Sequence, residues 1–329
     1  MSFFDGIMKY LPLGKTGVQV SQLGYGAASL GDEYGAIDPA EGERSVHCAI
    51  DRGINYFDVA PYYGATLAER RLGAALAGKR NQVILATKVG RYKDDRGAEI
   101  FDFSSAGIRQ SLEESLQRLA TDVIDVYQAH DIEFVPRQQI LDEALPTLFQ
   151  LKREGKIRFV GITGYPVHLL RDIVEQTHVD TVLSYSRYHL LDTSLDEVLG
   201  ETLERRGIGL INASPLNMGL LTAKGPPEWH PAPVNVRVKA RELARHCESR
   251  GIELSTIAMQ FALSYSRAAT TLVGMSRVRN VERNLSVLDE PMDETLLDEL
   301  RQLAAPVANT CWQEGISDNH DPRSVPQNS

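Results

Sequence analysis

Four residues of different chemistry each stand at, or just past, the end of a short apolar run: Asp58, Tyr63, Lys88 and His130. The runs are Tyr56-Phe57-Asp58, Val83–Lys88 and Val123–His130, and each reads as a β-strand. Titratable groups just past successive strands are where a parallel α/β barrel keeps its chemistry. A carboxylate, a phenol, an amine and an imidazole gathered at one barrel mouth make a candidate proton-transfer centre. Buried lysine is rare unless paired, and Asp58 is the candidate partner for Lys88. In the bland reading this pair is a structural bridge closing the barrel mouth. In the sharper one Lys88, held by Asp58, pulls the Tyr63 phenol pKa down towards neutrality, and Tyr63 exchanges a proton with a substrate oxygen. A lone tyrosine in the Pro61–Gly64 turn would otherwise be ordinary packing.

His130 precedes Asp131 and Glu133, and all three residue types bind metals. No second histidine stands at ligand spacing, since His168, His178 and His189 fall in other segments. No metal site is therefore expected, and a neutral His130 is read as orienting a substrate hydroxyl or carbonyl.

The elements that must position these groups alternate along the chain. Lys9–Ser21 reads as a hairpin turning at Gly14–Gly17. Strand-like segments follow at Leu23–Ala28, Asn55–Val59, Val83–Lys88, Val123–His130, Ile157–Thr163, Thr181–Tyr185, Ile208–Ser214 and Thr270–Met275. Each is followed by a helical pattern, the longest near Arg137–Glu154. Eight strand–helix units joined by right-handed crossovers close into a (β/α)8 TIM barrel rather than an open sheet. Short strands apolar on both faces fit that architecture. Glu294–Ala305 supplies one extra C-terminal helix, and the polar tail from about Asp318 is expected to fray. No linker divides the chain, so residues 1–329 are expected to form one barrel domain.

The loops after the last two strands, Ser214–Thr222 and Val273–Arg277, resemble the phosphate-binding loops of barrels. Neither is a GxGxxG, so a dinucleotide bound there would not be held by a Rossmann fold.

Bulk properties narrow the partners. The 329 residues are 43% hydrophobic and 24% charged, a globular balance. A net charge of −9 without a basic stripe argues against nucleic acid. Three cysteines, Cys48, Cys247 and Cys311, without CxxC spacing fit a reducing compartment. No apolar run is long enough to span a membrane, and Met1–Gly6 lacks a secretory pattern. The expected compartment is the cytoplasm, and the expected state a monomer or weak oligomer.

Together these residues resemble the aldo-keto reductase family over most of the chain. Leu13–Ser21 is similar to its N-terminal hairpin, and Asp58, Tyr63, Lys88 and His130 match its catalytic tetrad in order. Gly161–Gly164, Ser214-Pro215-Leu216 and Val273–Asn284 match its nicotinamide-cofactor segments. The resemblance implies cofactor contacts at Gly26, Ala27, Thr163, Tyr185, Ser214, Leu216, Gly219, Gly274, Ser276, Asn280 and Asn284. Segments such as Pro61–Gly64, Ala86–Lys93, His130–Phe134 and Gly225–Pro231 resemble members that oxidise aldoses. They imply oxidation of an L-galactose-like sugar at C1 to the 1,4-lactone, with Tyr63 as acid/base and Tyr62, Trp229 and Trp312 as aromatic walls for the substrate. Alternatives on the same fold are an L-fucose dehydrogenase, an NADPH-dependent aldehyde or ketone reductase, and a non-enzymatic regulatory subunit. Some positions depart from the common pattern: Ala213 replaces a stacking aromatic, Gly164 an asparagine and Tyr185 a glutamine. Asn280 stands where NADP-preferring members often carry arginine, which favours NAD. Arg277, Arg279 and Arg283 nearby keep NADP open.

Overall fold

A computed structural model describes residues 8–94, 96–327 and 329. Residues 1–6, read above as lacking a secretory pattern, lie outside them. The chain opens with a hairpin of β1 (Tyr10–Pro12) and β2 (Gln19–Ser21). Then β3 (Leu23–Gly26), β4 (Tyr56–Asp58), β5 (Ile84–Val89), β8 (Ile124–Ala129), β9 (Ile157–Gly164), β10 (Thr181–Tyr185), β11 (Gly209–Ala213) and β12 (Ala268–Gly274) close a parallel barrel in chain order. This is the (β/α)8 barrel that the strand–helix alternation predicts.

Two layers of apolar side chains account for the closure. Inside the barrel, Tyr56, Ala86, Val126, Leu183, Ile211, Ala213, Ala269 and Leu272 pack with Leu13 and Val20 of the hairpin. The hairpin therefore plugs the bottom of the barrel. Gly14 has φ +55, and an added Cβ there would lie 2.4 Å from the Gly209 nitrogen, so only glycine lets the turn seat under β11. Outside, a larger cluster fills the space between strands and helices. The helices are α1 (Pro39–Asp51), α2 (Leu67–Ala75), α3 (Ser105–Arg118), α4 (Arg137–Gln139), α5 (Leu145–Arg153), α6 (Val167–Gln176), α7 (Glu201–Arg206), α8 (Val234–Ser249), α9 (Leu254–Leu263), α10 (Val278–Ser286) and α11 (Glu294–Ala304). Asp38, Ser104 and Asp293 start α1, α3 and α11 by accepting a backbone N–H.

Two features differ from the sequence expectation. A second hairpin, β6 (Arg91–Lys93) with β7 (Glu99–Phe101), follows β5 directly and stands over the mouth. The tail, expected to fray, is instead tied to the barrel. Asn319 is buried and donates to the carbonyls of Glu133 (3.0 Å) and Val135 (2.8 Å). Asp321 accepts the N–H of His168 at the start of α6 (3.0 Å) and pairs with the buried Arg187 (3.1 Å). Polar composition suggested solvation, but these groups replace water with hydrogen bonds to backbone and to a buried cation.

Arg187 is 2% exposed and also faces Asp192 at 3.4 Å. Removing one counter-charge from a buried ion pair costs about 3 kcal/mol. Asp321→Ala is therefore expected to lower stability by roughly that amount in a denaturant melt; an unchanged midpoint would show that the tail does not anchor the barrel.

Candidate active site

The mouth at the C-terminal ends of the strands opens into a cavity of about 920 Å³. Asp58, the last residue of β4, pairs across the ladder with Ala86, and Lys88 on β5 pairs with Gln128 on β8. This register brings three side chains together inside the barrel. Lys88 is 1% exposed. Its ammonium donates to Asp58 Oδ1, to the Val59 carbonyl (2.9 Å) and to the Tyr63 hydroxyl (3.4 Å). The other Asp58 oxygen accepts from Gln128 Nε2 at 2.9 Å. Burial pushes the Asp58 carboxyl up, while Lys88 and then Gln128 pull it back.

The expectation for Tyr63 fails in one respect. The geometry beside Lys88 is as anticipated, but the phenol pKa is raised well above its ordinary value, first by burial and then by Asp58 and Asp131. Lys88 directs its charge at Asp58, so its effect on Tyr63 is largely compensated. Without a further positive charge, Tyr63 is a protonated phenol.

His130 follows β8, and its N–H continues the ladder to the Val89 carbonyl (2.8 Å). Its ring stands edge-on to Tyr62 and Tyr63, with centroids 5.9 and 5.8 Å away. Burial drives its pKa down to about 3 against the pull of Asp131. The imidazole is therefore neutral, as expected, and offers one ring N–H. Nδ1 is buried without a partner.

Of the anticipated cofactor residues, Gly26, Ala27, Thr163, Tyr185, Ser214, Leu216, Gly219, Gly274, Ser276 and Asn280 all line the cavity. Asn284 does not: it is buried in α10 one turn beyond Asn280. The three aromatics named for the substrate, Tyr62, Trp229 and Trp312, also line it. Trp312 stacks on Tyr165 at 4.4 Å, whereas Trp229 is 55% exposed and tilts towards Tyr34 across the mouth.

The lining fits a dinucleotide on two counts. One wall is made of small residues, Gly26, Ala27, Ala28 and Gly274, beside a buried Ser29 hydroxyl that lacks a partner. The loop after β11 holds Ser214 (φ 58°), Asn217 (45°), Met218 (49°) and Gly219 (95°) in left-handed backbone. Three of these are not glycine, and such strain collects at ligand clamps. Among the described residues no group of three or more His, Cys, Asp or Glu is placed to hold a metal.

Sequence reasoning missed several charged or polar lining residues. Arg91 and Glu99 come from the second hairpin, Asp131 follows His130, and Glu314 and Gln327 come from the anchored tail. The hairpin had a readable signal in Asp94–Ala98, a turn-like stretch containing Gly97 between two strand-like triplets. Gln128 had none, because a polar residue within an apolar run does not say which neighbour it meets.

A sequence model described as "Aldo/keto reductase family" matches residues 22–305. An L-galactose dehydrogenase from Arabidopsis thaliana is 42% identical over 317 residues, covering 93% of this chain and 98% of that one. A D-threo-aldose 1-dehydrogenase from a Pseudomonas species is 32% identical over 295 residues, covering 82% and 89%. Among solved structures, the holo form of the aldo-keto reductase AKR11C1 from Bacillus halodurans superposes with a TM-score of 0.76 at 29% identity, covering 92% and 96%.

The chain has two tryptophans, and both line the cavity. Titration with a nicotinamide dinucleotide should quench the emission, and Trp229→Phe should remove most of the change. Emission indifferent to the dinucleotide would place it outside this cavity.

Proposed function

Because this chain belongs to the aldo/keto reductase family and is an NAD(P)-dependent oxidoreductase acting on a CH–OH group, we propose that it oxidises an L-galactose-like aldose at C1 to the 1,4-lactone, with NAD as hydride acceptor. The observation that carries this reading is that the Tyr63 phenol, the Lys88 ammonium and the neutral His130 ring share one cavity with three aromatic walls. Aromatic faces suit the apolar face of a sugar ring. The near full-length match to an L-galactose dehydrogenase supports the choice of sugar.

The residues divide the work as follows. When bound, the oxidised nicotinamide supplies the hydride-accepting carbon and a positive ring charge. With that charge in the cavity and Lys88 at its hydroxyl, the Tyr63 phenol would ionise more readily and would take the proton of the anomeric hydroxyl as C1 loses hydride. His130 donates its ring N–H to the same oxygen and fixes its position. L-fucose, which lacks only the 6-hydroxyl, presents the same reacting centre.

NAD is favoured by what faces the start of α10. The Glu41 carboxylate already accepts the Val278 N–H at 2.9 Å, and Asn280 brings no charge. A 2′-phosphate there would compete with Glu41 for the cations around it, Arg44 at 2.8 Å from that carboxylate among them. Arg277 also lines the cavity and is the residue that would serve NADP.

L-galactose, L-fucose and simple aldehydes, each assayed with NAD and NADP by the absorbance of the reduced cofactor, test this directly. Absence of sugar oxidation with either cofactor would sink the proposal. Tyr63→Phe should keep dinucleotide binding and lose about a hundred- to ten-thousand-fold in turnover. Surviving activity would remove Tyr63 from the acid/base role.

The pH profile follows from the same groups. Tyr63 must lose its proton to act as base and its pKa is raised, so oxidation should climb from neutral pH and show no plateau below about 10, the ordinary tyrosine value. Lys88→Met removes a cation beside the phenol and should move the rise further alkaline. His130, held near 3, is neutral throughout that window and should add no second limb. A flat profile, or an acid shift in Lys88→Met, would contradict the assignment.

A further inference from the structure

Asp131 lies outside the proton-transfer group, yet its carboxylate stands beside His130. Its Oδ2 lies 3.5 Å from His130 Nε2, and both side chains are buried. The backbone of Asp131 is left-handed, at φ 50° and ψ 66°, a conformation that Asp and Asn tolerate. The twist is locked by a closed loop with Thr163: the Asp131 N–H donates to the threonine hydroxyl (2.8 Å), which donates back to Oδ1 (2.9 Å).

Arg91 holds the other oxygen, donating from Nη1 to Oδ2 at 2.5 Å. Its second arm reaches Glu99 (2.6 Å), and its plane lies over the rings of Tyr62 (4.3 Å) and Phe134 (4.5 Å). Burial pushes the Asp131 carboxyl up, while His130 when charged, then Arg91 and the Thr163 hydrogen bond, pull it down below its usual range. At neutral pH His130 is uncharged, and Arg91 is the cation that faces the carboxylate.

An ionised carboxylate has about four acceptor positions, and protein donors occupy two of them here. Asp131, His130, Arg91 and Tyr62 all line the cavity. An oxygen held by His130 Nε2 would thus have an anionic acceptor on its flank. In an aldose, C2 carries a hydroxyl beside the C1 oxygen, separated from it by about the length of a hydrogen bond. Plain aldehydes and ketones have no such group.

We propose that Asp131 determines specificity by accepting the hydroxyl on the carbon adjacent to the one oxidised, with Arg91 as the positioning residue that fixes the carboxylate. This rests on the aldose reading above. It adds that the C2 hydroxyl, rather than the aromatic walls alone, separates sugars from simple carbonyl compounds. A site built to pair a hydroxyl rejects the analogue that lacks it strongly, because its own acceptor is left unpaired.

The test compares kcat/KM for L-galactose and 2-deoxy-L-galactose in the wild type and in Asp131→Asn, which retains the size and the backbone tolerance. The wild type should prefer the parent sugar by about a hundredfold or more. Asp131→Asn should shrink that ratio at least tenfold, with the loss falling on the parent sugar. The ratio of ratios cancels the intrinsic reactivity of the deoxy sugar and any general loss of folded protein. An equal ratio in both proteins, or a wild type indifferent to the 2-hydroxyl, would overturn this role while leaving aldose oxidation standing. A wild type that oxidises neither sugar would overturn the aldose reading and this inference with it.

Discussion

The buried Lys88–Asp58 pair is the constraint around which the rest of the mouth is arranged. Taking an ammonium and a carboxylate out of water costs several kcal/mol per ion unless every hydrogen-bonding position is matched. Lys88 is offset by Asp58, the Val59 carbonyl and the Tyr63 hydroxyl, and each Asp58 oxygen has a donor, from Lys88 or from Gln128. The partners come from β4, β5 and β8 and from the turn after β4. A slip of one residue in any of these strands would turn its member of the set out of the barrel. The pair thus fixes register as well as charge, and Tyr63 is placed as a consequence. Gly161 makes the arrangement possible, since a Cβ there would lie 2.9 Å from Gln128 Cγ.

The electrostatics of the mouth follow from which charges are already committed. Lys88 and Arg91 both point at carboxylates, so neither leaves a free cation for Tyr63. The phenol is consequently raised, and His130, isolated from solvent, is held neutral. This arrangement waits for a positive group rather than supplying one. On the proposed reading, a cationic ring received by the cavity would lower the phenol pKa and favour its role as base.

How much of this could be read in the sequence depended on whether the information was local. The eight strands were legible because buried parallel strands are short apolar runs, and the meeting of Asp58, Tyr63, Lys88 and His130 in one cavity was legible because each ends or follows such a run. Asp131 was in plain view as a neighbour of His130 but was weighed only as a metal ligand. Its pairing with Arg91 bridges 40 residues of chain. The tail misled for a related reason: Asn319 and Asp321 look solvated by composition, and only the fold shows the backbone ends and the Arg187 charge that receive them. The direction of the Tyr63 shift was misread because it depends on burial and on Asp131, and neither is a property of spacing.

The mouth therefore divides into two kinds of part. Residues that would handle the proton sit on strands or within a few residues of a strand end, where the ladder sets their position. Residues that would meet the remainder of the substrate come from elements added to the barrel: Arg91 and Glu99 from the second hairpin, Trp229 from the loop after β11, and Trp312, Glu314 and Gln327 from the tail. These additions are held by their own contacts, such as the Trp312–Tyr165 stack and the Asp321–Arg187 pair. Changes in them need not disturb Lys88 and Asp58. Asp131 stands between the two groups, because it is one residue beyond His130 on the strand side and is gripped by Arg91 from the hairpin side. A barrel that couples its chemistry to its selectivity needs such a joint, and here it is a single carboxylate.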